Sequence, residues 1–175
     1  MQEIYQKTLS KTVKFEGVGL HSGQISKINI NPLGEDQGII FKRTDLRNNN
    51  IIKANYTNVS STKLCTTLKN KFGIKVSTVE HLLAAIYVAG IDNVEIEINN
   101  EEVPIMDGSA KDFLIGIGKV GTIEQSKKRK YLKISNKVDL TDENKKISIE
   151  PKEDSSLEVD FHLDYENRVI GKQKN

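Results

Sequence analysis

The sequence of 175 residues predicts an α+β fold. Three observations carry that reading. Short runs rich in β-branched residues, separated by turn residues, fill the first part of the chain. A strongly apolar helical segment follows near residue 80, then one more strand and a second helical segment. Beyond residue 130 only strand patterns return.

The elements follow in order. Residues 25–30, 38–43 and 51–56 read as strands, punctuated by Pro32-Leu33-Gly34 and Asn48-Asn49-Asn50. Residues 64–68 and 74–76 flank Asn70-Lys71-Phe72-Gly73, which reads as a hairpin turn. A helix over 78–89 stops at Gly90. Residues 93–99 alternate strictly: Val94, Ile96 and Ile98 face one way, Glu95 and Glu97 the other, as in a strand with one buried face. A second helix begins near Asp107, a possible helix cap, or Ser109, and ends at Gly121. Gly116 and Gly118 inside it each cost about 1 kcal/mol relative to Ala. Either packing compensates for them, or they allow a close approach.

The run Lys127-Lys128-Arg129-Lys130 sits where the pattern changes and reads as a solvated linker over 126–130. No aromatic residue interleaves it, which argues against a nucleic-acid partner. Residues 131–140, 145–151 and 157–165 then fit a three-stranded meander. In its last strand Leu157, Val159, Phe161, Leu163 and Tyr165 form an apolar face, while Glu158, Asp160, His162 and Asp164 form a polar one that turns His162 to solvent. No helix follows to cover the apolar face, and a sheet with one naked face is not a finished domain. The expected division is therefore a complete domain over 1–125 and an incomplete second one over 131–175.

Composition bounds the function. Formal charge is +2 and 37% of residues are hydrophobic, so a packed core is feasible. No apolar run approaches the roughly 20 residues of a membrane span, and the first residues lack a signal-peptide pattern. A single cysteine, Cys65, excludes an intrachain disulfide and suits a reducing compartment. A cytoplasmic location is expected.

The chemistry concentrates at Ser77-Thr78-Val79-Glu80-His81-Leu82-Leu83-Ala84-Ala85-Ile86. This helix is apolar nearly all round, and such a helix is normally buried on every side. Glu80 and His81, adjacent in its first turn, must then be hydrogen-bonded, paired or bound to a metal. Glu80 has two readings. One is the far end of a capping box with Ser77; the other is a catalytic carboxylate. His81 also has two: a satisfied structural histidine, or a ligand. A helix N-terminus favours the neutral imidazole, the form that binds a metal. Three further segments carry chemical side chains. Gly17-Val18-Gly19-Leu20-His21-Ser22-Gly23 is either a flexible connection or a loop whose backbone approaches a ligand. Leu64-Cys65-Thr66 places a packing or pocket-lining thiol in a strand. Glu102 to Ala110 runs from a strand into the second helix.

Those segments, together with Arg43-Thr44-Asp45-Leu46, Gly90-Ile91-Asp92-Asn93 and Pro104-Ile105-Met106-Asp107-Gly108-Ser109-Ala110, occur in an order that resembles the zinc-dependent UDP-3-O-acyl-N-acetylglucosamine deacetylases of lipid A biosynthesis. Each motif alone is weak; six in register over residues 8–123 are specific. The resemblance implies two similar α+β domains, each layering helices against sheets, with the active site between them. It implies that His81 is a zinc ligand and Glu80 the catalytic base. It also implies that Leu64, Cys65 and Thr66 line the substrate site, with His21 near it and Tyr165 near the sugar. The substrate would be an acylated UDP-amino sugar. The family's remaining zinc ligands and its general-acid histidine find no match here, and His162 corresponds to neither missing histidine. A complete site would then require a C-terminal half, and the chain alone would be inactive. The alternative function is a non-catalytic α+β domain that retains a sugar-nucleotide or protein-binding surface.

Overall fold

The computed structural model describes residues 4–154 and 156–174, and they divide into two units, one ending at Arg129 and the other beginning at Lys130. In the first unit, β1 (Tyr5–Leu9) leads into β2 (Val13–Val18), β3 (Ile25–Pro32), β4 (Ile39–Arg43) and β5 (Ile51–Lys53). A short 3-10 turn over Tyr56–Asn58 precedes β6 (Val59–Ser61), β7 (Thr67–Lys69) and β8 (Lys75–Val76). Helix α1 (Glu80–Val88), strand β9 (Val94–Ile98), helix α2 (Lys111–Val120) and strand β10 (Thr122–Lys128) complete it. The α+β class is what the sequence predicts.

The central sheet runs β2-β3-β9-β4-β5, antiparallel except where β4 lies parallel to β9. Its inward alternation is set by apolar side chains one period apart. Ile28 and Ile30 of β3, Phe41 of β4, and Val94, Ile96 and Ile98 of β9 are all buried. They share one core with Leu82, Ala85 and Ile86 of α1 and Phe113 and Ile117 of α2. On the other face of β9, Glu95 and Glu97 meet Lys42 of β4 at 3.5 and 3.0 Å. A second sheet, β6-β7-β8, contains the expected turn at Asn70, whose carbonyl accepts from the Gly73 amide at 3.0 Å.

Gly116 earns its place in α2 by close approach. A Cβ there would collide with the Phe15 ring, 2.7 Å from its Cε1, and Phe15 stacks edge-on against Phe113 with centroids 5.0 Å apart. Gly118 has open space around it and no such reason.

Five expectations need correction. The linker over 126–130 is not a linker. Residues up to Lys128 form β10, which pairs with β1 across the chain. Lys127 Nζ meets Asp36 at 2.5 Å, and the Arg129 guanidinium holds Asp92 at 2.7 Å and also donates to the Gly90 carbonyl. The first unit therefore extends past residue 125. Helix α1 is not buried on every side, because Tyr87 and Val88 are 67% and 68% exposed and Ala84 is exposed too. Asp107 does not cap α2. Its carboxylate accepts from the Ser109 amide and hydroxyl at 2.9 and 2.8 Å, forming a turn ahead of a helix that starts at Lys111. Cys65 lies in a bend ahead of β7 rather than in a strand.

The fifth correction concerns the second unit, where no meander forms. Strands β11 (Val138–Asp142) and β12 (Lys145–Ile149) make one antiparallel hairpin, and β13 (His162–Asp164) and β14 (Lys172–Lys174) make another. The alternating run 157–165 contributes only three residues to a strand, because its partner is the chain beyond residue 170 and not β12. His162 is exposed, as the alternation predicts.

Candidate functional site

Helix α1 ends where expected, at Gly90, whose φ of 67° is the left-handed conformation that glycine adopts freely. Its beginning is built differently from the sequence expectation. No side chain caps it. The Ser77 hydroxyl donates instead to the Glu101 carbonyl at 3.3 Å, and the Glu80 carboxylate accepts from the Thr66 amide at 3.1 and 3.3 Å. The capping box is therefore absent. Tertiary partners 14 and 24 residues away have taken both of its members.

That exchange shapes the site. Glu80 sits in the first turn of α1, at the positive end of the helix dipole. One backbone N–H orients a carboxylate that has about four acceptor positions, leaving others open. His81 follows it on the same turn, half-buried, with no hydrogen bond from its ring to another described residue. Thr66 and Cys65 are half-buried beside the tether, and Leu64 is exposed.

The loop at residues 17–23 joins the same locality through Glu102. This carboxylate is only 2% exposed. It accepts from the His21 amide at 3.0 Å, from the Ser22 amide at 2.7 Å and from the Thr78 hydroxyl at 2.9 Å. Burial opposes its ionisation, but hydrogen bonds from Ser22, the His21 amide and Thr78 outweigh that penalty and hold its carboxyl below the ordinary range. Gly19 is needed beside it, since a Cβ there would stand 2.5 Å from Glu102 Oε2. Val18 accepts from the Ile105 amide at 3.0 Å, and a Cβ on Gly17 would press on Pro104 and the Met106 sulfur.

Backbone strain marks the same place. Among the described residues six non-glycines have positive φ, and Asp36, Asn49 and Glu143 are polar residues in turns or bends. The other three are Leu64, Thr78 and Met106, with φ of 68°, 55° and 55°. A bulky or β-branched residue there costs on the order of 1–3 kcal/mol, and such outliers gather at functional sites. Thr78 lies just ahead of α1, Leu64 precedes the Thr66 tether, and Met106 lies against Gly17.

The structure thus brings together Glu80, His81, Thr66, its neighbours Leu64 and Cys65, and, through Glu102, the backbone of His21. Tyr165 lies in the second unit and is exposed. Two of the sequence motifs are structural. The Arg43 guanidinium is held bidentately by Asp45 at 2.8 and 2.6 Å and donates to the Lys75 carbonyl, fixing β8 just ahead of α1. Asn93 is buried and bonds Gln6, Gln125 and the Gly38 amide at 2.8, 2.7 and 2.8 Å, clasping β1 and β10 to the sheet. Glu102 is the residue that sequence reasoning missed. Its partners lie 24 to 81 residues away, so no local pattern announces it.

Among the described residues no three His, Cys, Asp or Glu side chains converge as a metal-binding group. His81 is available as one ligand, and a catalytic zinc normally takes three from protein. Among the described residues, therefore, His81 is a single candidate donor and falls short of that number. No helix among the described residues is long and apolar enough to cross a membrane.

Residues 6–175 match the model of the family described as LpxC: UDP-3-O-acyl N-acetylglycosamine deacetylase. The chain is 40% identical over 169 residues to a UDP-3-O-acyl-N-acetylglucosamine deacetylase of Nautilia profundicola, covering 97% of this chain and 56% of that protein. A protein of the same name from Helicobacter pylori is 40% identical over 96% of this chain and 55% of its own length. One from Geotalea uraniireducens is 42% identical over 97% and 54%. The chain spans about half the length of the curated relatives it matches.

Proposed function

The chain belongs to the LpxC family of UDP-3-O-acyl N-acetylglycosamine deacetylases, and from that premise we propose that it carries the base and one metal ligand of a zinc-dependent amide hydrolase. The substrate is an acylated UDP-amino sugar of lipid A biosynthesis, and the products are acetate and the free 2-amino sugar nucleotide. A cytoplasmic location fits the single free cysteine.

One observation supports this reading most directly. Glu80 and His81 share the first turn of α1, one oriented by the Thr66 amide and the other left with an uncommitted imidazole. Glu80 takes a proton from water as the water oxygen bonds the acetamide carbonyl carbon. The same proton is then available to the nitrogen that leaves when the C–N bond breaks. The Thr66 amide orients the Glu80 carboxylate for that step. His81 would be one ligand of a zinc, which when bound would make a water acidic enough to react near neutral pH. Leu64, Cys65 and Thr66 shape one wall of the substrate site, and His21 contributes a further contact. Ligands from outside these 175 residues complete the metal set, so the chain by itself binds zinc weakly and turns over little.

The test uses protein extended to the length of the relatives. Glu80→Gln should lower acetate release by about 10²–10⁴-fold, the usual contribution of a general base, with zinc content unchanged. His81→Ala should lower the zinc content itself. Stoichiometric zinc in His81→Ala, or full turnover in Glu80→Gln, would falsify the assignment.

A further inference from the structure

We propose that Glu102 is a positioning residue that couples the loop at residues 17–23 to the first turn of α1. The proposal rests on the reading of Glu80 and His81 above, and it adds a residue that touches neither of them.

One buried carboxylate is the shared acceptor for two separate parts of the site. Its Oε1 takes the His21 amide at 3.0 Å and the Thr78 hydroxyl at 2.9 Å, and its Oε2 takes the Ser22 amide at 2.7 Å. Thr78 stands two residues before Glu80 with its backbone in the left-handed region, which a β-branched residue does not hold unaided. The backbone on either side is pinned to the same segment. Ser77 donates to Glu101 at 2.8 Å, and Val103 donates back to Ser77 at 3.1 Å. Val79 donates to Thr66 at 3.4 Å, and Thr66 donates to Glu80. Hydrogen bonds, joined by the Thr78–Val79 peptide, therefore lead from the His21 backbone through Glu102 and Thr78 to the tether that aims Glu80. Bonds to an ionised acceptor are the strong ones, and this acceptor is shielded from water. Gly19 makes room for the carboxylate against the loop, because a Cβ there would stand 2.5 Å from Glu102 Oε2. The loop and the turn are thus held in one register by a group whose displacement disturbs both.

Hydrogen exchange on the 175-residue chain tests the link without reference to activity. In Glu102→Gln the amides of His21 and Ser22 should exchange about tenfold faster or more, the scale of one lost charge-assisted bond. The Thr66 amide, which does not touch Glu102, should lose protection with them. Thr78→Val keeps the side-chain shape and removes one hydroxyl. It should expose the Thr66 amide while the His21 and Ser22 amides stay protected, and it serves if Glu102→Gln does not fold. Thr78→Ser, which restores the hydroxyl, should recover Thr66 protection. In extended protein Thr78→Val should lower kcat about tenfold with KM and zinc content kept, whereas Glu102→Gln should change KM as well. Unchanged Thr66 exchange in Thr78→Val overturns the link whatever the activity. Altered exchange in a protein whose Glu80→Gln variant keeps full turnover leaves the link standing and sinks the assignment of Glu80 as the base instead.

Discussion

Strand β9 alternates Val94, Ile96 and Ile98 with Glu95 and Glu97, and the hairpin of β11 and β12 alternates in the same way, with Val138 opposite Ile149 and Leu140 opposite Ile147. Both sequences form strands. In β9 the apolar side chains are fully buried beneath helices, and the acidic ones meet Lys42. In the hairpin every residue of both strands is exposed, Leu140 by 65%. Alternation therefore specifies strand formation, while burial comes from what lies opposite, and only the first unit supplies that within itself. An isolated two-stranded hairpin is marginal in water.

Paired truncations should separate the two most sharply. Ile96→Ala removes a side chain from the closed core and should cost about 2–5 kcal/mol. Leu140→Ala removes one already in water and should stay within about 0.5 kcal/mol. Urea unfolding followed by helix content, which resides in the first unit, measures both. A large loss in Leu140→Ala would mean that the hairpin has a partner, such as a second copy of the chain.

The contrast also accounts for what could be foreseen. The strand at β9, the turn at Asn70 and the helix stop at Gly90 are set by near neighbours, and sequence displays them. Local rules fail where a distant group competes. Ser77 and Glu80 have capping-box spacing, yet Glu101 and Thr66 claim them. Lys127 and Lys128 read as linker residues because β1, their strand partner, lies more than a hundred residues earlier. The adjacency of Glu80 and His81 was legible because it is covalent. Their setting was not, since Glu102 and the strained Thr78 become partners only in the fold.

A smaller contrast lies within α2. Gly116→Ala would force a methyl group against Phe15, and overpacking of this kind costs about 1–3 kcal/mol. Gly118→Ala meets nothing and should gain up to about 1 kcal/mol of helix propensity. The same chemical change two residues apart should therefore shift the urea midpoint in opposite directions. A gain at both positions would show that Phe15 yields easily, and that close approach does not explain the glycine.

The smallest expected effect concerns acid. In β9, the hydrogen bond from Lys42 is the main cause holding the Glu97 carboxyl below its ordinary value of 4.5, against the opposing effect of burial. A folded-state pKa lower than the unfolded one stabilises the fold fully above the unfolded value. That contribution is lost as pH falls through the folded value. Lys42, raised chiefly by Glu97, carries the opposite sign: its contribution is complete below its unfolded value and lost only as pH rises through the folded one. Acid loss in β9 therefore belongs to the carboxylate. Solvent reaches both groups, so the effect is discounted to about 1 kcal/mol or less. Glu97→Gln should lower first-unit stability near neutral pH and flatten its decline in acid, whereas Asp139→Asn, on an exposed strand of the hairpin, should leave both unchanged. Urea midpoints across the acid range measure this. A Glu97→Gln profile parallel to the parent's would assign the acid sensitivity elsewhere, to Asp45 beside Arg43 or to Glu102, whose carboxyls are also held low by their hydrogen bonds.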